Sequence, residues 1–276
     1  MKIFRKTSEL EPNLVSIKDK GQSIGLVLTM GNLHDGHLSL IREAQLHNEF
    51  VICSIFINPT QFNNENDFNS YPKTIDEDIS KLENIGCNVL FLPEVQEIYP
   101  KGLAKKKIVN NFRNILCDKF RPGHFDGVTT VVDLFFNMIK PTNSYFGEKD
   151  FQQVKIIQDL VKINHHNIKI IQCPSVRDKM GMSLSSRNSK FSNDQLKTFN
   201  RLGNIIKKYI NLLKQSEINN LDKLKIELQQ NNINKIDYLE IRNENNLEIT
   251  KNYSEARLFI ALYIGDIRII DNFKLY

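Results

Sequence analysis

The chain has 276 residues, 41% hydrophobic and 25% charged, an ordinary globular composition that argues against a disordered chain, and its longest apolar run, residues 50–57, is too short to span a membrane. Lys and Arg outnumber Asp and Glu by 37 to 32, and the resulting net charge of +5 suits an anionic substrate or nucleic acid without selecting either. The first ten residues hold basic side chains with no apolar run behind them, so no secretory leader is expected there and the expected compartment is the cytoplasm.

Along the chain, residues 25–30, 50–57, 89–92, 144–146 and 168–172 are short, apolar and β-branched, and read as strands. Between them, residues 38–48, 75–84, 127–139 and 150–163 are amphipathic and read as helices. For the second of these helices, Thr74 and Glu77 predict a capping box, Ile75, Ile79 and Leu82 line one face, and Gly86 ends it. After Pro174 the pattern changes to two polar amphipathic segments, 192–215 and 219–230, then strand-like runs at 236–241 and 256–271, the latter turning at Gly265. The expectation is an α/β fold: a Rossmann-like doubly wound parallel sheet over residues 1–175, with a smaller, lid-like C-terminal α+β domain over 176–276. Cys53, Cys87, Cys117 and Cys173 form no Cys-x-x-Cys pair and read as buried thiols.

Four segments carry chemistry. The first is Met30-Gly31-Asn32-Leu33-His34-Asp35-Gly36-His37, between the first strand and the first helix. Its glycines permit a tight turn and close approach of a ligand. The free N–H groups of a helix start favour an anion there. His34 and His37, three apart, share one side of the first turn and suit a phosphate in transfer. A metal pair and a plain helix cap are the competing readings; a catalytic zinc needs a third ligand, and His47, His124, His165 and His166 supply none by spacing. The second segment contains Asn58 and Gln61, whose amides would reach the crevice at the carboxyl edge of the sheet and suit a small hydroxy acid. The third is Gly147-Glu148-Lys149-Asp150, followed by Gln153, where Lys149 is a point charge for a triphosphate unless it is only a solvated helix cap. The fourth, Leu184-Ser185-Ser186-Arg187, is a compact anion clamp or a flexible linker.

Weaker signals remain. Lys105-Lys106-Lys107 reads as a solvated loop, Arg121 and His124 as support for the site or the fold, and Asp76, Glu77 and Asp78 either as complements to a helix dipole or as holders of Mg²⁺-bound water.

Together these segments, with Ser70-Tyr71-Pro72, Asp237-Tyr238-Leu239-Glu240 and Arg268-Ile269-Ile270-Asp271-Asn272, resemble the pantothenate synthetases, or pantoate-beta-alanine ligases, within the nucleotidylyltransferase superfamily marked by His-x-x-His. The resemblance implies ATP-dependent joining of (R)-pantoate to β-alanine through a pantoyl adenylate, with AMP and pyrophosphate released. It implies ATP binding by residues 30–37, by Gly147, Glu148, Lys149 and Asp150, and by Val176, Leu184, Ser185, Ser186 and Arg187. It further implies pantoate on Gln61 and Gln153, His37 as proton donor, Mg²⁺ accompanying ATP, and a cytoplasmic homodimer with small-molecule substrates. Glu77 and Asp78 of the acidic helix start are the candidates beside Mg·ATP, and no nucleic-acid or membrane partner is expected. The chain departs from the family pattern at Leu28 (a customary Pro), at Asp35 (a customary Glu) and over 179–183 (a customary acidic run).

Overall fold

A computed structural model describes residues 1–63, 65–102, 106–164, 167–214, 220–233 and 235–276. Lys105, His165, His166, Gln215 and Asn219, named above, lie outside the described residues.

β2 (Ile24–Thr29) and β3 (Phe50–Ile55) form where the apolar runs predict, and ten of their twelve residues are buried. Continuous apolar strands of this kind are what a parallel sheet covered on both faces requires. With β1 (Lys2–Phe4), β4 (Val89–Phe91), β5 (Asn143–Gly147) and β6 (Lys169–Cys173) they make one parallel sheet in the order β1-β4-β3-β2-β5-β6. From β2 onward the chain builds outward in both directions, with β1 at the edge beside β4. The carboxyl end of β2 is the switch point at which such sheets open a ligand crevice.

α2 (Asp35–His47), α4 (Ile75–Asn84), α7 (His124–Ile139) and α8 (Phe151–Asn164) occupy the predicted connections. Leu40, Ile41 and Ala44 of α2 pack on Val27, Val51 and Cys53 of the sheet. Burying an aliphatic side chain of this size contributes roughly 1.5–3 kcal/mol. Two elements escape the periodicity: the three-residue edge strand β1, and α1 (Thr7–Asp19), which buries Leu10, Leu14 and Ile17 on one face but carries Pro12 inside it, a residue that argues against a helix. The short α3 (Glu65–Asn69), α5 (Val95–Ile98) and α6 (Leu116–Phe120) fill loops. Gly86 ends α4 with φ 75°, as its position predicts, but the Thr74 capping box does not form. The Thr74 hydroxyl donates instead to Asp78 (3.2 Å), and Glu77 pairs with Lys81 one turn on (3.9 Å).

The C-terminal segments fold as α9 (Asn193–Lys214) and α10 (Asn220–Gln230) with an antiparallel sheet of β7 (Ile236–Asn243), β8 (Ala256–Ile264) and β9 (Ile267–Lys274). β8 and β9 meet in the two-residue turn Gly265-Asp266, with Gly265 at φ 58°. Leu202, Ile206 and Leu213 of α9 close on Leu258, Ile260 and Leu262 of β8.

The chain divides into two compact units. The first comprises Met1–Arg113, Arg121–Glu148 and Gln153–Pro174, and the second Asn114–Phe120, Lys149–Gln152 and Ser175–Tyr276. All four cysteines are buried and free, and burial pushes the Cys87 thiol up to about 11 and that of Cys173 to about 12. No described helix is long and apolar enough to cross a membrane.

Candidate active site

In the first unit, the segment after β2 is shaped by backbone that only a few residue types accept. Gly31 (φ 82°) and Asn32 (φ 48°) are both left-handed, a conformation natural to Gly and tolerated by Asn. Two anchors hold it. Leu33 is buried in the core of the sheet, and the fully buried Asp78 carboxylate of α4 accepts the backbone N–H groups of Asn32 (2.8 Å) and Leu33 (2.7 Å). Lys81, one turn on, donates to the Leu33 carbonyl at 2.9 Å. Asp78 is thus the clamp of this loop. Two backbone N–H groups and the Thr74 hydroxyl bind its oxygens. Glu77 stays on the surface with Lys81. Among the described residues no three His, Cys, Asp or Glu side chains form a metal-binding group.

The two histidines cap α2 reciprocally. His34 Nδ1 accepts from the Gly36 N–H (3.1 Å), and His37 Nδ1 accepts from the His34 N–H (3.3 Å), the roles of a Ser and a Glu in an ordinary capping box. The rings lie 4.1 Å apart between centroids. Since each Nδ1 accepts, the neutral rings carry their proton on Nε2, and each presents an N–H donor through that atom. The backbone thus selects the tautomer, at the positive end of the helix dipole. Asp35 is exposed in the same turn.

After β3, Asn58 is buried at 1% exposure, and its amide is fully engaged. Its Oδ1 accepts from the Tyr99 hydroxyl (2.8 Å) and the Thr60 hydroxyl (2.9 Å), while Nδ2 donates to Gln61 Oε1 (3.1 Å) and the Gly127 carbonyl (3.2 Å). Asn58 therefore orients Gln61. Gln61, half-buried, donates Nε2 to the Met30 thioether at 2.9 Å. A thioether is a weak acceptor, so a hydroxyl or carboxylate oxygen is a better partner for that amide. The Gln61 carbonyl accepts from His124 Nδ1 (2.7 Å) and, more weakly, from Arg121 (3.4 Å), while Arg121 also donates to His124 Nε2 (3.0 Å). Gly127 lets α7 approach this turn: a Cβ there would sit 2.3 Å from the Thr60 carbonyl oxygen. Arg121, His124 and Gly127 thus support Gln61 from below.

At the end of β5, Gly147 needs neither a positive φ nor a tight contact; a Cβ there would meet nothing within 4 Å. Glu148 accepts from Gln172 of β6 at 2.9 Å, a structural use of its carboxylate. Gln153 is half-buried in the first turn of α8, and its side-chain amide has no hydrogen bond among the described residues.

The second unit holds the remaining predicted residues. The Lys149 ammonium lies 3.6 Å from the partly exposed Asp150 carboxylate, and its carbonyl accepts from Asn272 of β9 at 3.1 Å. Val176 and Leu184 close a loop through a 3.0 Å backbone bond, inside which Asp178 accepts the N–H groups of Met180 and Met182, each at 2.9 Å. The departure over 179–183 is therefore a tight turn built on Asp178 with Gly181 at φ 88°. Ser185 caps the next turn by accepting from the Arg187 N–H (3.2 Å), and Ser186 and Arg187 are half-buried within it. Supports that local patterns could not assign a role appear here too. Asp271 accepts from the Ser183 N–H (2.7 Å), the Ser183 hydroxyl (2.6 Å) and Arg177 (3.1 Å). Asp237 and Tyr238 are structural: Arg268 donates to Asp237 (2.7 Å), and burial pushes the Tyr238 phenol well up.

The family model for pantoate-beta-alanine ligase matches residues 2–274. A pantothenate synthetase of Francisella tularensis subsp. novicida is 42% identical over 92% of this chain and 90% of its own, and one of Acetivibrio thermocellus is 39% identical over 99% and 98%. Among solved structures, the pantothenate synthetase of Thermus thermophilus aligns over all of both chains with a TM-score of 0.93 at 32% identity. The pantoate-beta-alanine ligase of Francisella tularensis, complexed with β,γ-ATP and β-alanine, aligns over 100% of this chain and 98% of its own with a TM-score of 0.88 at 39% identity.

Proposed function

The chain belongs to the pantoate-beta-alanine ligase family, and on that premise we propose that it condenses (R)-pantoate with β-alanine, cleaving ATP to AMP and pyrophosphate. A pantoate carboxylate oxygen attacks the α-phosphorus and pyrophosphate leaves, giving pantoyl adenylate. The β-alanine amine then attacks the acyl carbon, loses a proton, and AMP departs with the carboxylate oxygen that bridged carbon and phosphorus.

The observation that carries this reading is the reciprocal histidine cap. Adenylation gathers negative charge on phosphate oxygens, and two Nε2–H donors oriented by the backbone at a helix N-terminus stabilise such charge without reorganising as it forms. His37, the proton donor that the resemblance implies, turns its Nε2–H toward the leaving pyrophosphate as a hydrogen-bond donor. Met30, Gly31, Asn32, Leu33 and Gly36 supply the backbone of the nucleotide loop, and the open Cβ direction of Gly147 leaves room for ATP. Gln61 exchanges its thioether partner for pantoate, and Gln153 supplies a second amide. In the second unit Lys149 and Arg187 supply cations for the triphosphate, with Ser185 and Ser186 as hydroxyl donors and Val176 and Leu184 as backbone contacts to the nucleotide.

Mg²⁺ would accompany ATP and offset charge on its phosphates. The family resemblance supports a homodimer working in the cytoplasm.

Omitting each reactant in turn tests the reading. Pyrophosphate should form stoichiometrically with ATP and pantoate, and turnover with AMP and an amide product should require β-alanine. Pyrophosphate release that instead needs a phosphorylated acceptor and no amine contradicts it.

A further inference from the structure

Two consecutive polar residues on β9, Asp271 and Asn272, are 2% and 1% exposed. Successive side chains on a strand point to opposite faces, and each of these reaches a different loop of the second unit. On one face Asp271 holds the 176–184 loop through Ser183 and Arg177, whose guanidinium also lies 4.4 Å from the Phe273 ring, two residues further along the same face. On the other face Asn272 donates to the Lys149 carbonyl. Its own Oδ1 accepts from Arg257 at 2.6 Å, and that buried guanidinium is fixed by Glu244 and by the Phe151 ring at 4.4 Å.

Burying two adjacent polar side chains and an arginine costs free energy unless each is satisfied, and a strand that needed only to close a sheet would place apolar residues there. We propose that Asp271 and Asn272 are positioning residues for adenylation, one strand setting the Lys149 loop from one face and the Ser185-Ser186-Arg187 loop from the other. This rests on Lys149 and Arg187 binding ATP, as proposed above.

Two double-mutant cycles test it, read as the single-turnover rate of pyrophosphate release with ATP and pantoate. Asn272→Asp keeps an acceptor for Arg257 and removes the donor to Lys149; it should lower that rate about tenfold, the scale of one lost hydrogen bond to a group that must be held in place. In a Lys149→Ala background the same substitution should change the rate less than about twofold, because a group acting through Lys149 has nothing left to position. Ser183→Ala, a single lost hydroxyl that keeps the fold if Asn272→Asp does not, should behave likewise against Arg187→Ala. Conversion of supplied pantoyl adenylate by β-alanine should stay within about twofold in Asn272→Asp and Ser183→Ala. Equal penalties in both backgrounds, or parallel loss of both half-reactions, overturn the proposal even when Lys149→Ala and Arg187→Ala are themselves severe. Full adenylation activity in Lys149→Ala and Arg187→Ala overturns the ATP-binding reading first and this proposal with it.

Discussion

Replacing Asp78 with Asn changes one atom in a side chain that touches no substrate in this account, yet it should damage both stability and adenylation. The carboxylate accepts two backbone N–H groups at 2.7 and 2.8 Å and the Thr74 hydroxyl at 3.2 Å. An amide keeps one oxygen, so one of the two N–H groups must face an NH₂. A buried donor left unsatisfied costs about 1–3 kcal/mol, and the surviving bond loses its charge assistance, roughly another 1 kcal/mol. The sum, about 2–4 kcal/mol, is a sizeable share of the roughly 5–15 kcal/mol that holds a typical domain. Part of the loss can be relieved by letting Gly31 and Asn32 leave their left-handed conformations, which moves the histidine cap. Urea denaturation followed by circular dichroism should show the destabilisation, and pyrophosphate release at temperatures where the variant is fully folded should be slowed at least tenfold. A variant within about 0.5 kcal/mol of the parent, with an unchanged adenylation rate, refutes the clamp.

His37→Ala and Lys149→Ala should each lower the single-turnover adenylation rate by about 10²-fold or more, as loss of a donor to developing phosphate charge does. Gly127→Ala should raise the pantoate KM at least tenfold in steady-state assays, because its methyl displaces the Thr60 carbonyl and with it the Asn58–Gln61 turn; an unchanged KM argues against that route. Burial holds the Cys87 proton up to about 11 in the folded chain, against an ordinary thiol value of 9.0. The unfolded chain therefore releases that proton first. Stability contributed by the neutral thiol is complete below pH 9 and declines as pH rises from about 9 toward 11, a decline that Cys87→Ala should flatten in denaturation curves measured across that range.

The parallel sheet was legible because β2 and β3 are buried on both faces and so are written as unbroken apolar runs. The histidine segment was legible because Gly31 and Gly36 frame it and because it separates a strand from a helix. What local pattern misassigned depends on partners far along the chain. Thr74 and Glu77 have the spacing of a capping box, but Asp78 binds backbone 45 and 46 residues away and draws the Thr74 hydroxyl with it. Asn58 follows a strand end like a ligand-facing residue, and its ties to Tyr99 and Gly127, 41 and 69 residues on, are invisible in that local pattern. The β1 edge and α1 were missed because three residues carry too little periodicity and Pro12 inside the helix argues against one.

Attack of a pantoate carboxylate oxygen on the α-phosphorus of ATP leaves an isotopic trace in the products. Pantoate labelled with ¹⁸O at both carboxylate oxygens, turned over with ATP and β-alanine in ordinary water, should deliver one ¹⁸O to the phosphate of AMP and keep the other in the amide carbonyl, read by mass spectrometry or by the ³¹P shift. Unlabelled AMP, or label appearing in phosphate or pyrophosphate instead, contradicts the account.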